Sequence, residues 1–193
     1  MKRIWMIICA VFFCSGYASA LDTNEDEKPT IPYRKLMFCL RHPCVWSFLD
    51  TIAYSEGTYC EEGYNMCFTK ALFSSYVDHP RVKYTSGKWT SSAAGRYQFL
   101  ARTWDRISKK LNLKDFSPQN QDRGAIQLVY EGDALEPLLK NDFAETVRRT
   151  ASVWASFPNA PYGQPTRKME DLFNFYRGRL VYYKKLFNQT THA

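Results

Sequence analysis

Glu56, in the run Tyr54-Ser55-Glu56-Gly57-Thr58, is the residue of this chain best suited to acid–base chemistry. A carboxyl group in the last turn of a helix faces about half a unit of negative charge from the unsatisfied carbonyls, where Lys or Arg is the usual occupant. That field, with partial burial beside Tyr54, disfavours the carboxylate and raises its pKa toward the range of a general acid working near neutral pH. Most glutamates near helix ends are solvated surface residues, so the assignment depends on what the rest of the chain brings to it. The helix itself follows from Val45, Phe48, Leu49, Ile52 and Ala53, which recur at helical spacing. Pro43 suits its first turn, and Gly57 suits a left-handed C-terminal cap.

A second segment, Ala94-Gly95-Arg96-Tyr97-Gln98-Phe99-Leu100, follows a Ser/Gly-rich turn and opens an apolar-periodic helix through Trp104 and Ile107 to Leu111. Further ordered blocks are Gly63-Tyr64, Leu72-Phe73, Tyr76 with Asp78-His79-Pro80-Arg81, Leu113 to Pro118, and Trp154-Ala155-Ser156 with Tyr162-Gly163-Gln164. Together with Tyr54 to Thr58 and Gly95 to Gln98, these blocks resemble the lambdoid phage endolysin family, a lysozyme-like group of lytic transglycosylases. The resemblance runs from about Trp46 to about Gln164 and leaves both ends of the chain uncovered. It implies an α+β, mainly α, lysozyme-like fold with a small β-hairpin region beside the cleft. It also implies Glu56 as the single catalytic acid/base, acting on peptidoglycan glycan strands.

Substrate-binding roles follow from the resemblance for Ser55, Tyr64, Asn65, Gly95, Arg96, Tyr97, Gln98 and Tyr162. Gly95 would let backbone approach a sugar without a Cβ, and Gln98 offers donors and acceptors to an acetamido or hydroxyl group. Tyr64, Tyr97 and Tyr162 would supply flat faces for sugar rings; the competing reading is half-buried core tyrosines with satisfied hydroxyls. For Arg96 a structural ion pair weighs as much as substrate binding. Asp78-His79-Pro80-Arg81 reads as a turn in which Asp78 and Arg81 pair, so His79 is not expected to act as a base.

Ordinary glycosidases need two carboxyl groups, about 5–5.5 Å apart for retention or about 6.5–9.5 Å for inversion. Glu61 and Glu62 lie in a short Cys-containing loop, and Asp78 lies in a turn. Asn65 stands where the lambdoid pattern carries Asp, and an amide is neither nucleophile nor base. The chain therefore favours an intramolecular route, with Glu56 protonating the glycosidic oxygen and then deprotonating the muramyl 6-hydroxyl, which attacks C1 of its own ring. A hydrolysing lysozyme (muramidase) is the close alternative. A non-catalytic peptidoglycan-binding or secretion accessory protein is the third reading.

Lys2-Arg3, the apolar run Ile4 to Phe13 and Ala18-Ser19-Ala20 compose a secretory signal at 1–20, with cleavage expected after Ala20 and an uncleaved anchor as the other reading. The run is shorter than the ~20 apolar residues of a bilayer span. An exported, periplasmic or secreted protein is expected. Residues 21–32 are acidic and read as a flexible linker, so the domain is placed at 33–193. In an oxidising compartment the remaining Cys39, Cys44, Cys60 and Cys67 form an even set open to three pairings. Pairing Cys60 with Cys67 would staple a lip of the cleft and leave Cys39 to pair with Cys44; cross-pairing stays open. Their spacings are not those of a zinc site, and neither metal nor cofactor is expected.

Beyond residue 32 the chain keeps 23 of its 26 basic and 15 of its 19 acidic residues, a net charge of +8. That balance suits an anionic partner such as peptidoglycan with its peptide carboxylates; no nucleic-acid motif accompanies it. About 160 residues bury one substantial core, and a monomer is expected. Further helices are read at 118–130, 134–139, 142–154 and 166–187. In the last, Leu172, Phe175, Tyr176, Leu180 and Tyr183 face the core. Arg177, Arg179, Lys184 and Lys185 make a basic face, either solvated or in peripheral contact with an anionic wall or membrane surface.

Overall fold

The computed structural model describes residues 28–190; the expected signal segment and most of the expected linker lie outside the described residues. Its elements are α1 (Tyr33–Cys39), α2 (Pro43–Glu56), β1 (Tyr84–Ser86), β2 (Trp89–Ser91), α3 (Ala101–Leu111), α4 (Pro118–Glu131), α5 (Leu135–Leu139), α6 (Phe143–Thr150) and α7 (Met169–Thr190). A short 3-10 turn spans Glu61–Asn65. The mainly helical α+β reading holds. β1 and β2 form a two-stranded antiparallel hairpin with Tyr84 opposite Ser91 and Ser86 opposite Trp89. A hairpin this short is marginal alone and depends on packing against the helices.

Pro43 and Gly57 bound α2 as expected. Pro43 occupies its first turn, and Gly57 closes it at φ 75°, a left-handed conformation that glycine adopts without a Cβ penalty. The helix is buried on nearly all sides. Its apolar residues Val45, Phe48, Leu49, Ile52 and Ala53 are buried, but so are Ser47, Asp50, Thr51 and Ser55. The hydroxyls of Ser47 and Thr51 are satisfied by the carbonyls of Pro43 and Ser47, at 2.6 and 2.7 Å. α7 covers one flank of α2 with Leu172, Tyr176 and Leu180, all buried. Near the end of α2, Phe175 of α7 stacks on Tyr54 with ring centroids 4.2 Å apart.

Several boundaries and contacts differ from expectation. α6 ends at Thr150 rather than 154, because the following turn is drawn to other partners: the Trp154 indole N–H donates to the Tyr97 carbonyl at 3.2 Å. α7 begins at Met169, since Arg167 N–H is held by the Ser156 carbonyl at 2.8 Å. Residues 28–32 are not a free linker. Ile31 is buried and its N–H donates to Gln127 Oε1 at 2.9 Å, while Gln127 Nε2 donates to the Pro29 carbonyl at 2.8 Å. Arg179 does not belong to a solvated basic face; its Nε donates to Asp50 Oδ2 at 2.6 Å. Arg177, Lys184 and Lys185 are exposed.

None of the four cysteines is in a disulfide. Cys39 and Cys44 sit in the core on different helices, and Cys44 Sγ lies 3.9 Å from Asn141 Oδ1. Cys67 is buried in backbone bridges to Ala71 and Ala94, whereas Cys60 is exposed. Burial pushes the Cys39 thiol up to about 11, which keeps it protonated and unreactive near neutral pH. The Asp78–Arg81 pair forms at 2.9 Å. His79 is buried, with Nε2 donating to the Phe99 carbonyl and Nδ1 accepting from Arg81 N–H, so both ring nitrogens serve the turn.

Candidate active site

Glu56 is the last residue of α2, is 7 % exposed and lines a cleft of about 340 Å³, within the size range of ligand sites. Ser156 Oγ donates to Glu56 Oε1 at 2.6 Å, and Ser55 Oγ donates to Ser156 Oγ at 2.6 Å. The two serines form a relay that orients the carboxyl group and supplies a donor to its charged form. Ser55 is fully buried, so its role is to position Ser156 rather than to touch substrate. We expect Ser156→Ala to lower kcat about tenfold with little change in KM, in steady-state turnover compared with wild type.

The Gly95–Gln98 turn lies beside this carboxylate. Gly95 has φ 77°, and a Cβ there would fall on Gln121 Oε1 and Phe116 Cζ, so this glycine is required by packing rather than by approach of a sugar. Arg96 is buried, donates from Nη2 to Asp50 Oδ1 at 2.8 Å, and is structural. Tyr97 borders the cleft, but it is 1 % exposed and its hydroxyl donates to Asp122 Oδ1, so its ring is not a stacking face for a sugar. Gln98 does line the cleft. Its Nε2 donates to the Met66 and Gly95 carbonyls at 3.1 and 2.9 Å, leaving Oε1 as an acceptor for an N–H or O–H of a ligand. It is held at φ 50°, a left-handed backbone that non-glycine residues adopt at a cost and that concentrates at functional sites.

Tyr162 lines the cleft and is half-buried, with its hydroxyl donating to the Ser152 carbonyl. Its ring is the tyrosine face available to a sugar. Tyr64 and Asn65 are elsewhere. The Tyr64 hydroxyl donates to Asp122, and Asn65 Nδ2 donates to the Phe73 carbonyl at 3.1 Å, tying two backbone segments together. Glu131 is the one other acidic residue lining the cleft among the described residues. Its Oε1 accepts from Arg106 at 2.7 Å, Gln127 at 2.9 Å and Lys110 at 3.1 Å. Burial pushes its pKa up, but these donors outweigh it and hold the carboxyl below its ordinary value.

The endolysin family model matches residues 46–180. The chain belongs to the endolysin family. It is 42% identical over 133 residues to an endolysin of Escherichia phage lambda, a match covering 65% of this chain and 84% of the relative. It is 37% identical over 153 residues to an endolysin of Escherichia phage P2, covering 70% and 92%. Bacteriophage lambda lysozyme complexed with a chitohexasaccharide is similar in structure, with a TM-score of 0.69 at 39% identity over 72% of this chain and 94% of the other. A further structure of lysozyme from bacteriophage lambda has a TM-score of 0.61 at 35% identity, over 75% and 94%. The fold is therefore lysozyme-like, and the family match reaches past Gln164 into α7.

In this endolysin, Ser156 at the site and Asp122 behind it have roles that their sequence positions do not signal. Ser156 stood inside a recognised block, but nothing in its type or position signals contact with a residue a hundred places earlier. Asp122 is buried and accepts the hydroxyls of Tyr64 at 2.8 Å and Tyr97 at 2.6 Å. Burial raises its pKa from the ordinary 3.8 to about 6, against the lowering by the two tyrosines and Arg96. The folded pKa lies above that of the unfolded chain. The stability this contributes is therefore full below 3.8 and is lost as pH rises through about 6. Asp122→Asn keeps the acceptor and removes the titration. We expect it to be more stable than wild type above about pH 6, by about 1–3 kcal/mol, and equal to it near pH 4, in urea unfolding at both pH values.

Proposed function

We propose that this endolysin cuts the β-1,4 bond between N-acetylmuramic acid and N-acetylglucosamine in peptidoglycan and leaves 1,6-anhydromuramyl ends. Degradation of peptidoglycan follows from family membership and the lysozyme-like fold. The chitohexasaccharide complex of the lambda lysozyme supports a glycan strand as the occupant of the cleft. The transglycosylase route rests on the solitary working position of Glu56. Glu131, the other acid in the cleft lining, accepts Arg106, Lys110 and Gln127 on Oε1 and its side chain is only 2% exposed, which favours a structural carboxylate over one that activates water or attacks C1.

In this mechanism Glu56 gives its proton to the glycosidic oxygen as the C1–O bond breaks. The resulting carboxylate takes the proton of the muramyl 6-hydroxyl while O6 bonds to C1. Glu56 ends protonated as it began, and no water is consumed. Ser156 holds Oε1 in place through both transfers, and Gln98 Oε1 accepts a hydrogen bond from the bound sugar. The nucleophile arrives on the substrate ring, so the second carboxylate of a hydrolase has no role. Export by the N-terminal segment, giving a periplasmic or secreted enzyme, belongs to the same proposal because the substrate lies outside the cytoplasmic membrane.

The test is mass spectrometry of muropeptides released from purified peptidoglycan. Anhydromuramyl ends are the expected product. Reducing ends would replace the transglycosylase reading with the hydrolase one and return attention to Glu131.

A further inference from the structure

One wall of the cleft is basic. On α3, Arg102, Arg106 and Lys110 stand four residues apart, on one helical face. Arg106 and Lys110 share Glu131 Oε1, at 2.7 and 3.1 Å. Arg102 is exposed, lines the cleft and makes no hydrogen bond or ion pair among the described residues. Lys28 also lines the cleft, and its ammonium likewise has no partner among the described residues. The Lys28 carbonyl accepts from Lys110 Nζ at 2.7 Å, which places the backbone of Lys28 against the same cluster. Among the described residues the cleft is thus lined by the cations Lys28, Arg102 and Arg106, with Lys110 beside them, and by the carboxylates Glu56 and Glu131.

Lys28 comes from the strap that Ile31 and Gln127 fasten to α4, outside the residues matched by the endolysin family model. A bare glycan offers this wall hydrogen-bond acceptors but no counter-charge, since the sugar rings and acetamido groups are uncharged. The negative charge of peptidoglycan resides on the lactyl substituent at O3 of each muramyl residue, either as its own carboxylate or on the peptide joined to it.

We propose that Lys28 and Arg102 bind carboxylates carried on the lactyl substituent of a muramyl residue in the strand occupying the cleft. The inference rests on the glycan reading above and names the part of the substrate that the basic wall recognises. Solvent-exposed charge pairs are individually weak and screened by salt, so the contribution is one of affinity and register.

The test measures equilibrium binding to full-length Glu56→Gln protein, which separates affinity from turnover. The ligands are peptide-bearing glycan strands, strands stripped by an amidase to leave the lactyl carboxylate, and neutral chitohexasaccharide. Adding Lys28→Gln and Arg102→Gln should weaken binding of peptide-bearing strands about fivefold to tenfold at low salt and leave chitohexasaccharide unaffected. Lys28→Arg and Arg102→Lys should restore most of the loss. The same loss on stripped strands assigns the lactyl carboxylate as the group bound; its confinement to peptide-bearing strands assigns the peptide carboxylates. An equal loss on chitohexasaccharide, or no loss on either anionic strand, overturns the inference while leaving the proposed activity intact. Absence of binding to all three ligands would overturn the glycan reading itself.

Discussion

Glu56→Gln should reduce turnover of peptidoglycan about 10⁴-fold while the protein melts within a few degrees of wild type. The expected size follows from the double duty of one group: acid and base steps each contribute about 10²–10⁴-fold, and here both pass through the same carboxyl. Glutamine keeps an acceptor for Ser156 Oγ, so the relay from Ser55 survives and the loss reports chemistry rather than folding. Glu56→Asp should lose about 10²-fold, because shortening the side chain withdraws the carboxyl by about an ångström from a geometry set by the end of α2. The assay is release of soluble muropeptides with a parallel thermal melt. A Glu56→Gln enzyme with a tenth or more of wild-type activity would place the acid elsewhere, and Glu131→Gln would be the next variant to make.

Asp50→Ala should cost about 3–5 kcal/mol, the cost of breaking a buried, multiply hydrogen-bonded ion pair. Asp50 is 3 % exposed and receives Arg96 Nη2 at 2.8 Å on one oxygen. Arg179 Nε at 2.6 Å and the Tyr183 hydroxyl at 3.0 Å bond to the other. Its removal leaves the buried Arg96 guanidinium without its counter-charge and cuts the tie between α2 and α7. For a domain of this size the melting temperature should fall by roughly 10 °C. Asp50→Asn, which keeps the acceptor but not the charge, should fall between. Activity should fall with Asp50→Ala beyond the fraction unfolded, since Arg96 lies within the Gly95–Gln98 turn and Asp50 sits six residues before Glu56. Calorimetry with activity measured well below the melt separates the two effects. A loss under about 1 kcal/mol would mean that solvent replaces the carboxylate and that the cluster is surface-like.

Local rules carried the site as far as Glu56 itself. The apolar spacing of Val45 to Ala53, Pro43 and Gly57 specify α2 and its end, because helix periodicity and caps act within one turn. The same rules located α3, α4 and α7 to within a few residues, and the ordered blocks around Gly95 and Trp154 identified the family. They did not separate residues that touch the cleft from residues that support it. Tyr64, Tyr97 and Arg96 have the types that sugar sites use, yet burial and the carboxylates of Asp122 and Asp50 draw them into the core. A side chain's partner is chosen by which chain segments meet, and nothing local encodes that choice.

The sequence by itself determined the helix that presents an acid at its end, the fold family and a net positive domain. Tertiary structure alone decided that Ser156 holds Glu56, that Gln98 presents an acceptor, and that Glu131 is paired with Arg106 and Lys110. It also decided that residues 28–32 pack as a strap instead of trailing as a linker. The physical reason is range: caps and periodicity act between residues a few places apart, whereas each of these hydrogen bonds joins groups brought together only by the burial of a shared core.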